Sequence, residues 1–426
     1  MENLGKHLQG GLAFTENDVA SHITDLYRPI AQEVSMTSSC VGYNRPISMN
    51  QHGPYQFAIN ERGNYYIQLN QIRLYLRAKV VLEDGGDIAL TDGVAICNLF
   101  GNSLFQTIDF EIGGRLIPEL QNTHLGYKSF LEKQLSYAPN GGTGPLAASL
   151  WIPDEAKHFE DFKYHAEDLK PFKEPNAENS QNDGFRVRRG IVGASKLFDM
   201  CLDLHSDFLS CDRLLPPGVS MLMSLTRQKD TFLLMHPTSA KTFKVVIEGM
   251  KLAVPYIALT ESLVENHKRL GANQPVLLPI KKTDIIVHHA PKGALMTQLS
   301  DLFRNRVPNT LIIAMVETTA YYGSTSKNPY NFQHFNVNHA TIAHNGVWIP
   351  SEPYTPDWTN KLFAREYRAF FDNTGIGTDN IPSAINPTLY ANGCTLFAFD
   401  LTPDKCKLQL YVLGNIWEEQ VFFSSR

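Results

Sequence analysis

In residues 65–80 the apolar side chains alternate, change parity and alternate again. Tyr65, Ile67 and Leu69 precede the polar pair Asn70-Gln71, and Ile72, Leu74, Leu76, Ala78 and Val80 follow it. Period-two alternation marks a strand with one buried face. A parity change turns the wrong face inward unless an extra residue bulges out at the polar pair. The pattern returns at Phe243, Val245 and Ile247, then Glu248-Gly249, then Met250, Leu252 and Val254. Each of these six positions lies 178 residues beyond its counterpart, and Lys251 stands at the same offset from Arg73. A long bulged strand that occurs twice predicts two copies of one β-domain.

The length of 426 residues agrees. One hydrophobic core stops growing near ~250–300 residues, so two domains are the natural division. Residues 1–50 read as an N-terminal arm, residues 51–235 as a first domain and residues 236–426 as a second. Within residues 1–50 the acids Glu2, Glu16, Asp18, Asp25 and Glu33 outnumber Lys6, Arg28 and Arg45. Val19, Ile23 and Leu26 give a weak amphipathic pattern that Pro29 interrupts, and such terminal segments are ordered mainly by partners.

Shorter echoes follow in order. Gly113-Gly114-Arg115-Leu116-Ile117-Pro118 is answered by Asn345-Gly346-Val347-Trp348-Ile349-Pro350, and residues 197–204 by residues 396–401. Pro118 is expected to open a helix carrying Leu120, His124, Tyr127, Leu131 and Leu135 on one face. Thr355 is expected to cap another that buries Trp358, Leu362, Tyr367 and Phe370. Residues 258–270 read as a short helix stopped by Gly271. Residues 276–289 and 310–318 read as strands, and residues 408–423 as a final strand pair. The loops at 140–184 and 321–330 read as outer surface. Regular strand–helix alternation is missing, which disfavours an α/β fold. The expected class is all-β: two tandem jelly rolls, antiparallel sandwiches with short helices in the insertions between strands.

Candidate chemistry is sparse. The six cysteines (Cys40, Cys97, Cys201, Cys211, Cys394, Cys406) form no Cys-x-x-Cys, which argues against a zinc site or a disulfide framework. Asn140-Gly141-Gly142-Thr143-Gly144 lacks the Gly-Lys-Ser/Thr ending of a phosphate loop and reads as a hinge. His334, His339 and His344 are spaced by five, so on a strand successive members face opposite sides and do not converge on a metal. His288-His289 point apart for the same reason. Asp203 and Asp207 read as solvated or capping carboxylates, and Arg186-Val187-Arg188-Arg189 as a solvated or subunit-contact loop. No catalytic, cofactor-binding or metal site is expected. The net charge of −5 gives no whole-chain attraction to nucleic acid or anionic membranes. No signal peptide, glycosylation sequon or membrane-length apolar run is found, so the expectation is an unsecreted protein with reduced thiols.

Several stretches, in their order and spacing, carry a family resemblance. They are Asp25-Leu26-Tyr27, residues 70–75, Cys211-Asp212-Arg213-Leu214-Leu215-Pro216-Pro217-Gly218-Val219, residues 243–250, residues 396–404 and Gly414-Asn415-Ile416-Trp417-Glu418-Glu419. With them the chain resembles the double jelly-roll major capsid proteins of Polinton/Maverick elements and adintovirus-like double-stranded DNA viruses. The proline-rich segment of that family's arm is reduced here to Pro29. The resemblance implies a homotrimer with a pseudo-hexagonal outline that tiles an icosahedral shell. It also implies location in the virion after assembly in the nucleus or cytoplasm, without secretion. The implied partners are other copies of the chain, a penton protein at the vertices, a maturation protease and a packaging ATPase. An acidic arm cannot neutralise a genome's phosphates, so sequence-specific or condensing nucleic-acid binding is not expected. Two rival readings are a capsid-like protein domesticated by a host and a jelly-roll carbohydrate-binding protein or enzyme. Bound sugar or metal at one site would mark the latter.

Overall fold

A computed structural model of the chain describes residues 35–89, 91–136, 144–162, 182–237, 241–300, 307–344, 346–376, 383–402 and 419–425. In the first half the strands are β1 (Met36–Asn44), β2 (Tyr55–Ile59), β3 (Tyr66–Ile67), β4 (Arg73–Leu82), β5 (Ala95–Ile96) and β6 (Phe105–Ile112). They continue with β7 (Arg115–Leu116), β8 (Phe198–Asp203), β9 (Met221–Arg227), β10 (Leu234–Met235) and β11 (Phe243–Leu259). One sheet has the order β1-β11-β4-β8, with β3 also on β11, and the other the order β2-β9-β6-β7. Leu74, Leu76, Ala78 and Val80 of β4 point into a single apolar cluster with Phe57 and Ile59 of β2, Met223 and Leu225 of β9 and Phe110 of β6.

The second half holds β12 (Met296–Ser300), β13 (Thr310–Ala314), β14 (Val337–His344), β15 (Val347–Tyr354), β16 (Leu396–Asp400) and β17 (Glu419–Ser425). Its larger sheet runs β12-β17-β14-β15, and β13 pairs with β16. Among the described residues all the ladders between these strands are antiparallel. The architecture is an all-β tandem jelly roll, as the alternation predicts.

The two bulged strands are related otherwise than the sequence suggests. β11 is the antiparallel neighbour of β4, with Val245 opposite Val80 and Leu252 opposite Leu74. The resemblance at offset 178 therefore joins two partners in one sheet and not the same strand of two domains. Both must bury one face against the same core, so both carry the same period. Glu248 is bulged as expected, between Ile247 and Gly249. At Asn70-Gln71 the parity change is made instead by a 3-10 turn, Leu69–Gln71, that separates β3 from β4. Because β11 lies in the first sheet, the ladders divide after Leu259 rather than at residue 235. Residues 36–44, read as part of an arm, form the edge strand β1 on β11.

Other expectations need correction. Pro118 opens only a 3-10 turn, Pro118–Leu120, and the helix is Leu125–Ser136. Asn386 and not Thr355 supplies a side-chain cap in the second half, while the predicted 355 helix begins later, as Ala364–Thr374. Of its expected buried face Phe370 is buried and Leu362 is 66% exposed. The helix after β11 is Glu261–Gly271. Residues 276–289 form no strand. The echo between Gly113-Gly114 and Gly346 is structural, since each lies in a hairpin, β6–β7 and β14–β15. The expected pair at 408–423 lies mostly outside the described residues, which include only β17. No helix among the described residues is long and apolar enough to cross a membrane.

Candidate functional site: the buried polar junction between the halves

The most tightly organised polar cluster sits where the first half meets the loop before β14. Asn182 caps the helix Asp183–Val192, its side-chain oxygen accepting from the Phe185 amide at 3.2 Å. Ser/Thr/Asn/Asp before a helix satisfy amides that the helix leaves unpaired. Two residues on, Gly184 packs so close to Pro153 that any Cβ there would collide with the Pro153 carbonyl. That contact brings Arg188, wholly buried, beside Asp154.

The Arg188 guanidinium donates to Asp154 Oδ1 at 2.5 Å, to the Ile96 carbonyl at 2.9 Å and to the Ile152 carbonyl. Asn182 Nδ2 donates to the same carboxylate oxygen at 2.8 Å. The other oxygen, Oδ2, accepts from Asn328 Nδ2 of the second half at 2.9 Å. Asn328 Oδ1 in turn accepts from the Tyr330 amide at 3.0 Å. A buried charge is tolerated when it is paired and its remaining hydrogen-bonding capacity is filled. Here both charges and both amides are filled.

Tyr330 extends the junction into the apolar core. Its ring stacks on Phe130 with centroids 4.1 Å apart and planes 5° apart, and its hydroxyl lies 2.5 Å from Ser103 Oγ. Burial raises the Tyr330 hydroxyl well above its ordinary value, so it stays neutral. At the rim Lys327 pairs with Glu160 and Glu317, each at 2.9 Å.

A second cluster fastens residues 282–283 to the first half. Asp207 Oδ2 accepts from Asn122 Nδ2 at 2.7 Å and from the Thr283 amide at 3.0 Å, while Lys128 Nζ lies 2.9 Å from Oδ1. Lys128 also bonds Glu132 at 2.7 Å, and His205 Nδ1 lies 2.6 Å from the other Glu132 oxygen. Burial pushes the Glu132 carboxyl up, but His205 and Lys128 outweigh it and hold the group below its ordinary value. For Lys128 burial pushes down, and its two carboxylate partners raise it overall.

These placements revise the sequence reading. The arginine cluster 186–189 is helical, and Arg188 and Arg189 are both buried rather than solvated. Asp207 is 2% exposed, so only Asp203, paired with Arg73 at 3.0 Å, remains a surface carboxylate. Tyr330 and Asp154 lie inside, although both were expected on outer loops. His334 stacks on Trp358 at 4.4 Å, where burial lowers it, and His339 and His344 lie on β14. No metal-binding group of three or more side chains occurs among the described residues. Cys97 and Cys394 are buried thiols pushed up to about 12, which keeps them protonated. Of the 140–144 run only Gly144 is described. Sequence reasoning missed Asn182, Asn328 and Tyr330. The one available signal was Asn182-Asp183-Gly184 ahead of a helical pattern.

The sheets and the junction together define a tandem jelly-roll β-protein whose organised polar groups face inward, between its halves. No family model matches the chain. A Caenorhabditis elegans protein, uncharacterized protein F54H12.2, is 20% identical over 384 residues, which cover 86% of this chain and 86% of that protein. A chain from the 3.5 Å cryo-EM structure of the Sputnik virophage superposes with a TM-score of 0.54 at 10% identity, covering 97% of this chain and 87% of that one. The mavirus major capsid protein gives 0.41 at 13% identity, covering 97% of this chain and 93% of that one. The Faustovirus major capsid protein gives 0.43 at 9% identity, covering 95% and 90%.

Proposed function

We propose that the protein is a shell-forming capsid subunit that associates as a homotrimer. The observation that carries this reading is the junction. Asp154, Arg188, Asn182 and Asn328 bond the first half to the second in the dry interior, so one chain presents two coupled β-lobes. Three such chains around a closed three-fold axis present six lobes, an outline that tiles a lattice of hexagons. The first lobe is taken to end at Leu259 and the second to follow it. The likeness to the chain from the Sputnik virophage along almost the whole length supports the two-lobed fold that such a trimer requires. A double-stranded DNA genome, a vertex protein, a protease and a packaging ATPase are the partners this function needs.

A second reading has its own support. A relative detectable by sequence belongs to a nematode, which favours a capsid-like protein retained in an animal genome. Both readings share the trimer. Light scattering on purified protein is expected to give a species near three times 47.9 kDa, and electron microscopy hexagonal outlines or shells. A monomer at micromolar concentration, without shells, would overturn the proposal. Shells recovered from host tissue without nucleic acid inside would select the second reading.

A further inference from the structure

The outer face of the sheet β1-β11-β4-β8 carries an apolar surface that nothing described covers. Register fixes its layout. Tyr75 of β4 stands between Lys251 of β11 and Cys201 of β8. Tyr43 of β1 lies opposite Ala253, its ring 6.2 Å from that of Tyr75. Val41, two residues before Tyr43, faces the same side. Val41, Tyr43 and Tyr75 are 51%, 61% and 41% exposed.

The charges around this patch are unbalanced. Arg73 is paired with Asp203 and Lys79 with Glu248 at 2.8 Å. Among the described residues Arg77 and Lys251 have no ion pair, and Asp199, across the ladder from Arg77, is the remaining acid of this face. The face therefore offers exposed aromatic rings with a net positive rim.

The chain holds a segment of complementary character. Residues 1–34 lead directly into β1, the edge strand of this sheet. They carry five acids against two bases, with Val19, Ile23, Leu26 and Tyr27 among Glu16, Asp18, Asp25 and Glu33. From Met36 to Tyr43 the strand advances seven residues, roughly 23 Å at ~3.3 Å per residue. Nineteen residues, 16–34, are ample to reverse and run back over that distance. Tethering holds the segment at an effective concentration that no separate partner matches without greater affinity. We propose that residues 16–34 of the chain's own arm lie across this face, their apolar side chains on Tyr43 and Tyr75 and their acids toward Arg77 and Lys251. The inference does not depend on the capsid reading.

The test is photocross-linking of the full chain with p-benzoylphenylalanine in place of exposed Tyr75, followed by mass spectrometry. Mixed light and heavy isotope-labelled protein separates links within a chain from links between chains. Links from position 75 to residues 16–34 within one chain are expected. Their yield is expected to fall at least about threefold in 1 M salt, where screening is nearly complete beyond ~3 Å, and similarly in Arg77→Glu/Lys251→Glu. Links to a second copy, links elsewhere in the chain, no links, or a yield insensitive to both salt and charge reversal would each overturn the proposal. Circular dichroism of each variant confirms that the sheet is intact, and all three positions are exposed enough to tolerate the change.

Discussion

The two halves of the molecule share a plan but are not equally self-sufficient. In the first, two sheets close over side chains such as Phe57, Leu74, Val80 and Phe110, all with no exposed surface. In the second, a four-stranded sheet faces a two-stranded ladder, and its separate cluster comprises Val337, Ala340, Ile342, Tyr354, Phe397 and Phe399. Other large residues of the second half, among them Tyr330, Phe332, Phe370 and Tyr390, belong to the cluster of the first. The second half is thus completed by the first, through apolar packing and through the Asp154 junction. A lobe that borrows its neighbour's core loses part of its stability when that neighbour is displaced, which couples the two.

Breaking the junction sharpens this contrast most. Asp154→Ala leaves the Arg188 charge buried with two carbonyl partners and no counter-ion, and removal of one member of a buried pair costs about 3–5 kcal/mol. In urea denaturation the second half is expected to unfold earlier than the first, read as two transitions where a single one is expected of the native protein. A single transition at unchanged midpoint would show that the halves do not depend on this bond. Asp154→Leu/Arg188→Met, which removes both charges, is expected to recover much of the loss in midpoint.

Tyr330 separates packing from polarity at the same seam. Tyr330→Ala is expected to cost about 3–5 kcal/mol, as other large aromatic truncations do. Tyr330→Phe keeps the stack on Phe130 and loses only the Ser103 bond, a change of about 1 kcal/mol. If the two variants gave equal midpoints in chemical denaturation, the stack would contribute nothing.

The legibility of these features follows the range of the forces behind them. Periodicity in residues 72–80 and 243–254 revealed strands, their buried faces and the bulge at Glu248, because a strand's pattern is local. It did not reveal that the two strands pair with each other, since two partners in one sheet and two copies in separate domains write the same period. The echo of Gly113-Gly114 at Gly346 was legible as a repeat, and only the structure shows that both lie in hairpins. The junction was not. Arg188 looks like Arg186 and Arg189 in sequence, and Asp154 and Asn328 lie 174 residues apart. Arg189 is buried too, and only the fold sets Arg188 rather than Arg189 against Asp154.

Acid is expected to act on the second fastening, around Glu132, more gently than mutation acts on the first. The folded state holds the Glu132 carboxyl below its ordinary value. A depressed carboxyl contributes stability that is present above its unfolded value, near ~4.3, and is lost as pH falls through the lower folded value. Thermal midpoints measured from about pH 6 to pH 3 should therefore drop on the acid side. Glu132→Gln should flatten part of that drop while lowering the plateau above it. An unchanged acid slope in Glu132→Gln would assign the drop to other carboxylates.

The smallest expected effect is also the most direct check on how the arginine cluster divides. Arg186 pairs with Asp183 at 3.0 Å on the open side of the same helix that carries Arg188. Solvent screens such a pair, and exposed ion pairs contribute about 0–1 kcal/mol. Arg186→Ala should shift the urea midpoint barely or not at all, whereas Arg188→Ala, two residues on, should shift it by several times as much. The two arginines differ by about 200° around the helix at ~100° per residue, and that angle alone decides which one meets Asp154. Equal effects would mean that the helix does not hold Arg188 against Asp154 in solution, and the coupling of the two halves would need another cause.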